Sequence, residues 1–154
     1  MSSVFVMNGP NLTPLGRGRK ASLDVITVAD VDDVCRQEAI RLGLDLELGH
    51  SDFEGQLIEW IHQADLDYRA RRCVGAVLNP GSLAHTSIAL LDAIEATSMP
   101  VIEVHLHNPH HREEFRPASY ISLGATGTIV GLGADVYRLG IQALDRIARD
   151  SVDI

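Results

Sequence analysis

The chain has 154 residues, 45% of them hydrophobic, and a formal net charge of −8. That length fills one well-buried core and is short for two, so residues 1–150 are expected to form one α/β domain, with 151–154 as a short tail. An acidic chain has little means of displacing counterions from phosphate, which sets aside nucleic acid and anionic membranes as partners and leaves a small molecule.

No stretch reaches the roughly twenty apolar residues of a membrane span, and "MSSVFVMNGPN" lacks the basic start of a signal peptide. A cytoplasmic protein is expected. Cys35 and Cys73 form neither a CxxC pair nor a disulfide framework, and read as core thiols in a reducing compartment.

A first strand is expected at "VFVM" (4–7), closed by the turn residues "NGPN". Val31, Val34, Cys35, Ala39 and Leu42 then follow a helical spacing, with Thr27 as the start signal. "LDLEL" (44–48) reads as the second strand, ending in "HSD". Leu57, Ile58, Ile61, Ala64 and Tyr68 mark a second helix, with Asp52 as its cap. "VGAVLN" (74–79) reads as a strand buried on both faces and ends in "NPGS". Thr86 precedes a helix carrying Ala89, Leu90, Ala93 and Ile94. "VIEVHL" (101–106) and "GTIVG" (127–131) complete five strands. The last helix carries Tyr137, Gly140, Ile141, Leu144 and Ile147, and a second apolar face of Val136, Leu139 and Ala143 that suits contact with another copy of the chain.

Strand and helix alternating through short links predict a parallel, doubly wound sheet in three α/β/α layers, because each crossover helix must return the chain to the same edge. Ligands of such sheets bind beyond the carboxyl ends of the strands. "NGPN", "HSD", "NPGS" and "HLHN" all fall there.

The stretch "VIEVHLHNPHHREEFR" (101–116) holds four of the chain's seven histidines. His105 and His107 alternate along one strand and could ligate a metal with His110 or His111. Against this, His110 and His111 fall in a turn crowded with competing charge, and the family resemblance set out below implies acid/base chemistry without a metal. Glu103, two residues before His105 on the same strand face, would orient that imidazole and hold its charge; the alternative is a buried pair that satisfies itself and does nothing more.

Five segments, "NGPNLTPLG" (8–16), "SDFEGQLIEWIH" (51–62), "NPGSLAHTSIALLDA" (79–93), "VIEVHLHNPHHREEFR" and "GTIVGLGADVYRLGIQAL" (127–144), resemble the type II 3-dehydroquinate dehydratases, in order and over nearly the whole chain. The resemblance implies a flavodoxin-like subunit with a five-stranded parallel sheet, assembled as a dodecamer of trimers. It further implies a cofactor-free trans elimination of water from 3-dehydroquinate, a small carboxylate substrate. In that family a tyrosinate beside an arginine takes the proton alpha to the ketone, and a histidine protonates the departing hydroxyl. Carried over, Asn11 holds the enolate, His105 is the general acid and Glu103 orients it. Asn79 and His85 match contacts to substrate hydroxyl and carboxylate, with the backbone amides of Leu106 and His107 as further anion donors. Asp92 matches a residue that reaches the neighbouring subunit's site, and Arg112 and Arg116 match arginines that close the lid and bind hydroxyl.

The chain also departs from the pattern. The family places an arginine two residues after the glycine of "LG" (15–16) and a tyrosine seven after it; here Gly18 and Leu23 stand there. Leucine takes no proton at any pH. Arg17 or Arg19 are the candidates for the lost guanidinium and Asp24 for a weaker base, all in "RGRKASLD", whose glycine and charge suit a lid. Lys20 is the only lysine, which leaves little room for a Schiff-base route. Leu83 replaces a usual tyrosine, His107 a usual serine, and "SDF" the usual "SNH". These changes cluster in the pocket, so a related lyase or isomerase acting on another cyclic or keto acid, or a homologue without catalysis, stands beside the family reaction. The proton decides what to expect: the wild type dehydrates 3-dehydroquinate poorly or not at all, and Leu23→Tyr with Gly18→Arg raises the activity by installing a base and the cation that lowers its pKa. Leu23→Tyr alone does less, because an unperturbed phenol near pKa ~10 is mostly protonated at neutral pH. Steady-state rates of the three proteins check this, and a wild-type rate unaffected by either change contradicts it.

Overall fold

The structure, a computed structural model, describes residues 1–12, 26–111 and 118–152. Among these, five strands pair in parallel: β1 (Ser3–Asn8), β2 (Asp45–His50), β3 (Cys73–Asn79), β4 (Val101–His105) and β5 (Gly127–Val130). Their order across the sheet is β2-β1-β3-β4-β5. The helices are α1 (Val28–Leu42), α2 (Glu54–Arg69), α3 (Ile88–Glu95), α4 (Ile121–Gly124) and α5 (Asp135–Val152), so Ser151 and Val152 continue the last helix. Two 3-10 turns, Gly81–His85 and Pro109–His111, follow β3 and β4. Among the described residues, no helix is long and apolar enough to cross a membrane.

Apolar side chains divide between the two faces as strand alternation dictates. Val4, Val6, Val77 and Val104 pack with Tyr137, Ile141 and Leu144 under α1 and α5. Met7, Ala76, Leu78 and Val101 pack with Leu57, Ile61, Leu90 and Ile121 on the opposite face, under α2, α3 and α4. Every residue of β3 is buried, which is why its sequence is a continuous apolar run rather than an alternating one. β2 lies at the edge and does alternate, with Asp45 and Glu47 exposed beside half-buried Leu46 and Leu48.

The helix starts hold one agreement and two corrections. Thr27 caps α1 as expected, in a reciprocal capping box with Asp30. Asp52 does not cap α2: the helix begins after Phe53, without a side-chain cap, and Asp52 bonds elsewhere. Thr86 does not cap α3 either, because its N–H closes the preceding 3-10 turn on Leu83; Ser87, one residue later, accepts the Leu90 N–H.

The chain leaves β1 toward β2 on one side of the sheet and returns beside β1 on the other as β3. That reversal opens a crevice at the carboxyl ends of β1 and β3. The two turns that floor it touch closely. A Cβ on Gly9 would lie 2.6 Å from the Pro80 carbonyl oxygen, and one on Gly81 2.9 Å from that of Pro10. Gly81 also sits at φ +58, where a side chain is strained. The glycines of "NGPN" and "NPGS" thus let two turns cross where bulkier residues would hold them apart.

Candidate active site

Over that crossing lies a pocket lined by Gly9, Pro10, Asn11, Leu12, Asn79, Gly81, His105, Leu106 and His107. The described lining encloses about 130 Å³, below the roughly 300–1,000 Å³ of drug-sized sites. That size suits a small acid rather than a nucleotide.

Asn11 stands at its rim with φ 66, a left-handed conformation that asparagine tolerates better than most residues. Its N–H donates to Asp52 Oδ1 at 2.9 Å, so the end of β2 braces the turn after β1. Asn79 is fixed from the α5 side of the sheet. Its Nδ2 donates to the Tyr137 hydroxyl at 2.9 Å, Tyr137 donates to Asn8 Oδ1 at 2.5 Å, and Asn79 Oδ1 accepts the Gly81 N–H at 3.1 Å. An amide nitrogen carries two hydrogens, so one remains for the pocket. Burial, only partly offset by the Asn79 hydrogen bond, pushes the Tyr137 phenol well above its ordinary value. Although it lies next to the site, Tyr137 is no tyrosinate base.

His105 comes from the other face of the sheet. Its Nε2 lies 2.8 Å from Oε1 of Glu103, a carboxylate with no exposed surface. The same carboxylate accepts from the hydroxyls of Ser119, Ser122 and Thr128, the last at 3.3 Å. Burial raises its pKa, but the hydrogen bonds from His105, Ser119 and Ser122, together with the charge of His105, outweigh burial and hold Glu103 below the usual carboxyl range. With Nε2 turned to Glu103, Nδ1 is the ring nitrogen left for the pocket.

Just beyond β4, the carbonyls of His105 and Leu106 accept from the N–H groups of Gly131 and Gly133, both at 3.0 Å. In a trans peptide the N–H points opposite to the preceding C=O. The amides of Leu106 and His107 therefore face away from β5, toward the pocket these residues line. This is a pair of donors suited to a carboxylate.

One chain therefore brings together Asn11, Asn79, His105, Leu106 and His107, with Glu103 behind His105. His85 ends the 3-10 turn after β3 and Asp92 is exposed on α3; neither lines the pocket. His107 is exposed at the rim, and His110 is exposed with its N–H on Asn108. Arg17, Arg19, Leu23, Asp24, Arg112 and Arg116 lie outside the described residues. Sequence reasoning missed Asp52 as a brace, the Asn8–Tyr137–Asn79 chain and the three hydroxyls on Glu103. The neighbouring ends of β1 and β2 were the one signal that pointed to Asp52.

A depressed Glu103 pKa contributes stability that is present above the ordinary carboxyl value of 4.5 and lost as pH falls through the folded value. Glu103→Gln removes that contribution and sets an amide against donors, at a cost of about 1–3 kcal/mol near neutrality. Denaturant unfolding of the two proteins across pH checks this: the gap narrows below pH 4.5. A gap that is constant, or that widens toward acid, contradicts it.

A family model described as Dehydroquinase class II matches residues 2–145. A Marinomonas protein named 3-dehydroquinate dehydratase is 49% identical over 144 residues, which cover 94% of this chain and 96% of that one. The crystal structure of the type II dehydroquinase from Propionibacterium acnes superposes with a TM-score of 0.81 at 38% identity, covering 95% of this chain and 99% of that one. The type II dehydroquinase of Butyrivibrio crossotus superposes with 0.85 at 32%, covering 94% and 97%. With that match spanning most of its length, this chain belongs to the type II dehydroquinase family.

Proposed function

We propose that the chain is a hydro-lyase that removes water from 3-dehydroquinate by trans elimination through an enolate, with no cofactor. The observation that carries the reading is the convergence of Asn11, Asn79 and His105 on one small pocket whose far wall offers two backbone N–H groups. The substrate carboxylate rests on the amides of Leu106 and His107, and Asn79 holds a hydroxyl group; His85, which does not line the pocket, is given no substrate contact in this reading. Asn11 takes the charge that develops on the enolate oxygen, which an amide donor stabilises more in the transition state than in the ketone. His105 then gives its Nδ1 proton to the departing hydroxyl while Glu103 holds the other side of the ring. No described residue is assigned as the base, and Asp24, the sequence candidate, lies outside them.

Asp92, exposed on α3, serves the pocket of a neighbouring copy in this reading, and the oligomer is a dodecamer. Light scattering at working concentration should find that assembly, and a clean monomer contradicts it. The cytoplasm is the proposed location, in keeping with the two free, buried cysteines. A second reading, lyase or isomerase chemistry on a related cyclic or keto acid, is favoured by one feature: His107, in the pocket lining, brings an imidazole where the family usually has a serine.

The test is to mix purified protein with 3-dehydroquinate and follow the conjugated enone absorbance of dehydroshikimate. The wild type should form it slowly and the Leu23→Tyr/Gly18→Arg protein faster. His105→Ala should lose a hundredfold or more, as removal of a general acid does, on the order of 10²–10⁴. His110→Ala should change little. No enone from any of these proteins overturns the dehydratase reading, and equal losses at His105 and His110 with chelator sensitivity point to a metal instead.

A further inference from the structure

We infer that Ser119, Ser122 and Thr128 are positioning residues for the acid step: their hydroxyls keep Glu103 ionised and so fix His105 with its Nε2 hydrogen on Glu103 and Nδ1 turned to the pocket. What Nδ1 does in the pocket rests on the dehydratase reading. The orientation of the ring rests on the hydrogen bonds around Glu103.

A carboxylate offers about four lone-pair directions, and here each oxygen receives two donors. Oε1 takes His105 Nε2 and the Ser119 hydroxyl; Oε2 takes the hydroxyls of Ser122 and Thr128. A protonated carboxyl would have to donate from one of those oxygens, and one donor would have to turn away. The Ser119 hydroxyl is directed toward Glu103 by its own surroundings: its oxygen accepts the Ser122 N–H at 3.4 Å, which leaves its hydrogen to point elsewhere. The turn that carries both serines is pinned by the Tyr120 N–H on the Ala84 carbonyl at 2.8 Å.

The hydroxyls matter because little else balances the charge. His105 is the titratable group that pairs with Glu103 from β4; the α4 segment and β5 present Ser119, Ser122 and Thr128, and no Lys or Arg among the described residues pairs with it. A buried carboxylate without such donors takes up a proton rather than remain charged. A carboxyl that has taken up a proton from solvent no longer requires an N–H from His105, so loss of the hydroxyls would leave the His105 tautomer unfixed and weaken the acid step without altering the pocket that binds substrate. The three residues act through Glu103 and touch no substrate.

The test compares the full chain with Ser119→Ala/Ser122→Ala, with Ser122→Thr, which keeps the hydroxyl, and with Thr128→Val, a nearly isosteric change. Nitrogen NMR of labelled histidine reads the tautomer of His105, and isotope-edited infrared spectroscopy of labelled glutamate reads a protonated carboxyl; neither needs turnover. In the wild type and Ser122→Thr, Nε2 should carry hydrogen and Glu103 should be ionised at neutral pH. In the double variant a protonated carboxyl should appear, with kcat for dehydration down on the order of tenfold and KM within about twofold. Thr128→Val should shift the same signals in the same direction by less, and decides the matter should the double variant not fold. A folded double variant with an ionised carboxyl and an unchanged His105 tautomer overturns the inference even if the wild type is an active dehydratase. The expected spectra with no enone from the wild type or from the Leu23→Tyr/Gly18→Arg protein overturn the dehydratase reading and leave this one standing.

Discussion

A carboxylate sealed inside an apolar sheet must either be matched by donors or give up its charge, and Glu103 is matched. It has no exposed surface, and burial pushes its pKa upward; hydrogen bonds from His105 on the strand itself and from Ser119 and Ser122 at the start of α4 more than reverse that push, and Thr128 on β5 adds a longer contact. Because the donors come from different elements, the charge also ties those elements together. Glu103, satisfied on both of its oxygens, orients His105 and joins the packing of Ile121 and the Tyr120–Ala84 hydrogen bond in holding α4 against the sheet.

The rest of the pocket follows from the parallel sheet. Neighbouring strands end on the same side, and the reversal of order at β1 and β3 opens space between their turns. Side chains alternate between faces, so Asn79 is anchored on the α5 side by Tyr137 while His105 is anchored on the α4 side by Glu103. Both reach the same opening from opposite layers. Asn79 and His105 are each held by partners of their own, so their placement comes with the fold, and preorganised donors of this kind need little rearrangement as charge develops in a reaction.

Much of this was legible in the chain because it is local. The strands were visible as short apolar runs between turn residues, β3 above all because both of its faces are covered. Thr27 was legible because a capping box lies within four residues. Asn11, Asn79 and His105 were legible because each sits in or beside a turn at the end of a strand, where such folds bind ligands. Thr86 and Ser87 are adjacent and chemically alike, and the length of the preceding 3-10 turn, invisible in the pattern, chose between them. Asp52 read as a cap because its partner, Asn11, lies 41 residues away on another strand end. Tyr137 read as one more apolar residue of α5, and its hydroxyl is explained only by Asn8 and Asn79, at separations of 129 and 58 residues. Nothing in the pattern around Ser119, Ser122 or Thr128 points to a carboxylate; their meaning comes from a charge on another strand.

In the proposed reaction the labour is divided, and His105 acts only after the enolate has formed. One incubation of 3-dehydroquinate in deuterated water gives two signals that separate the steps: exchange of the hydrogen alpha to the ketone, and formation of the enone. His105→Ala removes the acid and leaves the enolate support of Asn11 in place, so the variant should still exchange the alpha hydrogen at close to the wild-type rate while enone formation is lost. Exchange and elimination lost together, or elimination retained without the imidazole, would contradict the assignment of His105 as the group that protonates the departing hydroxyl.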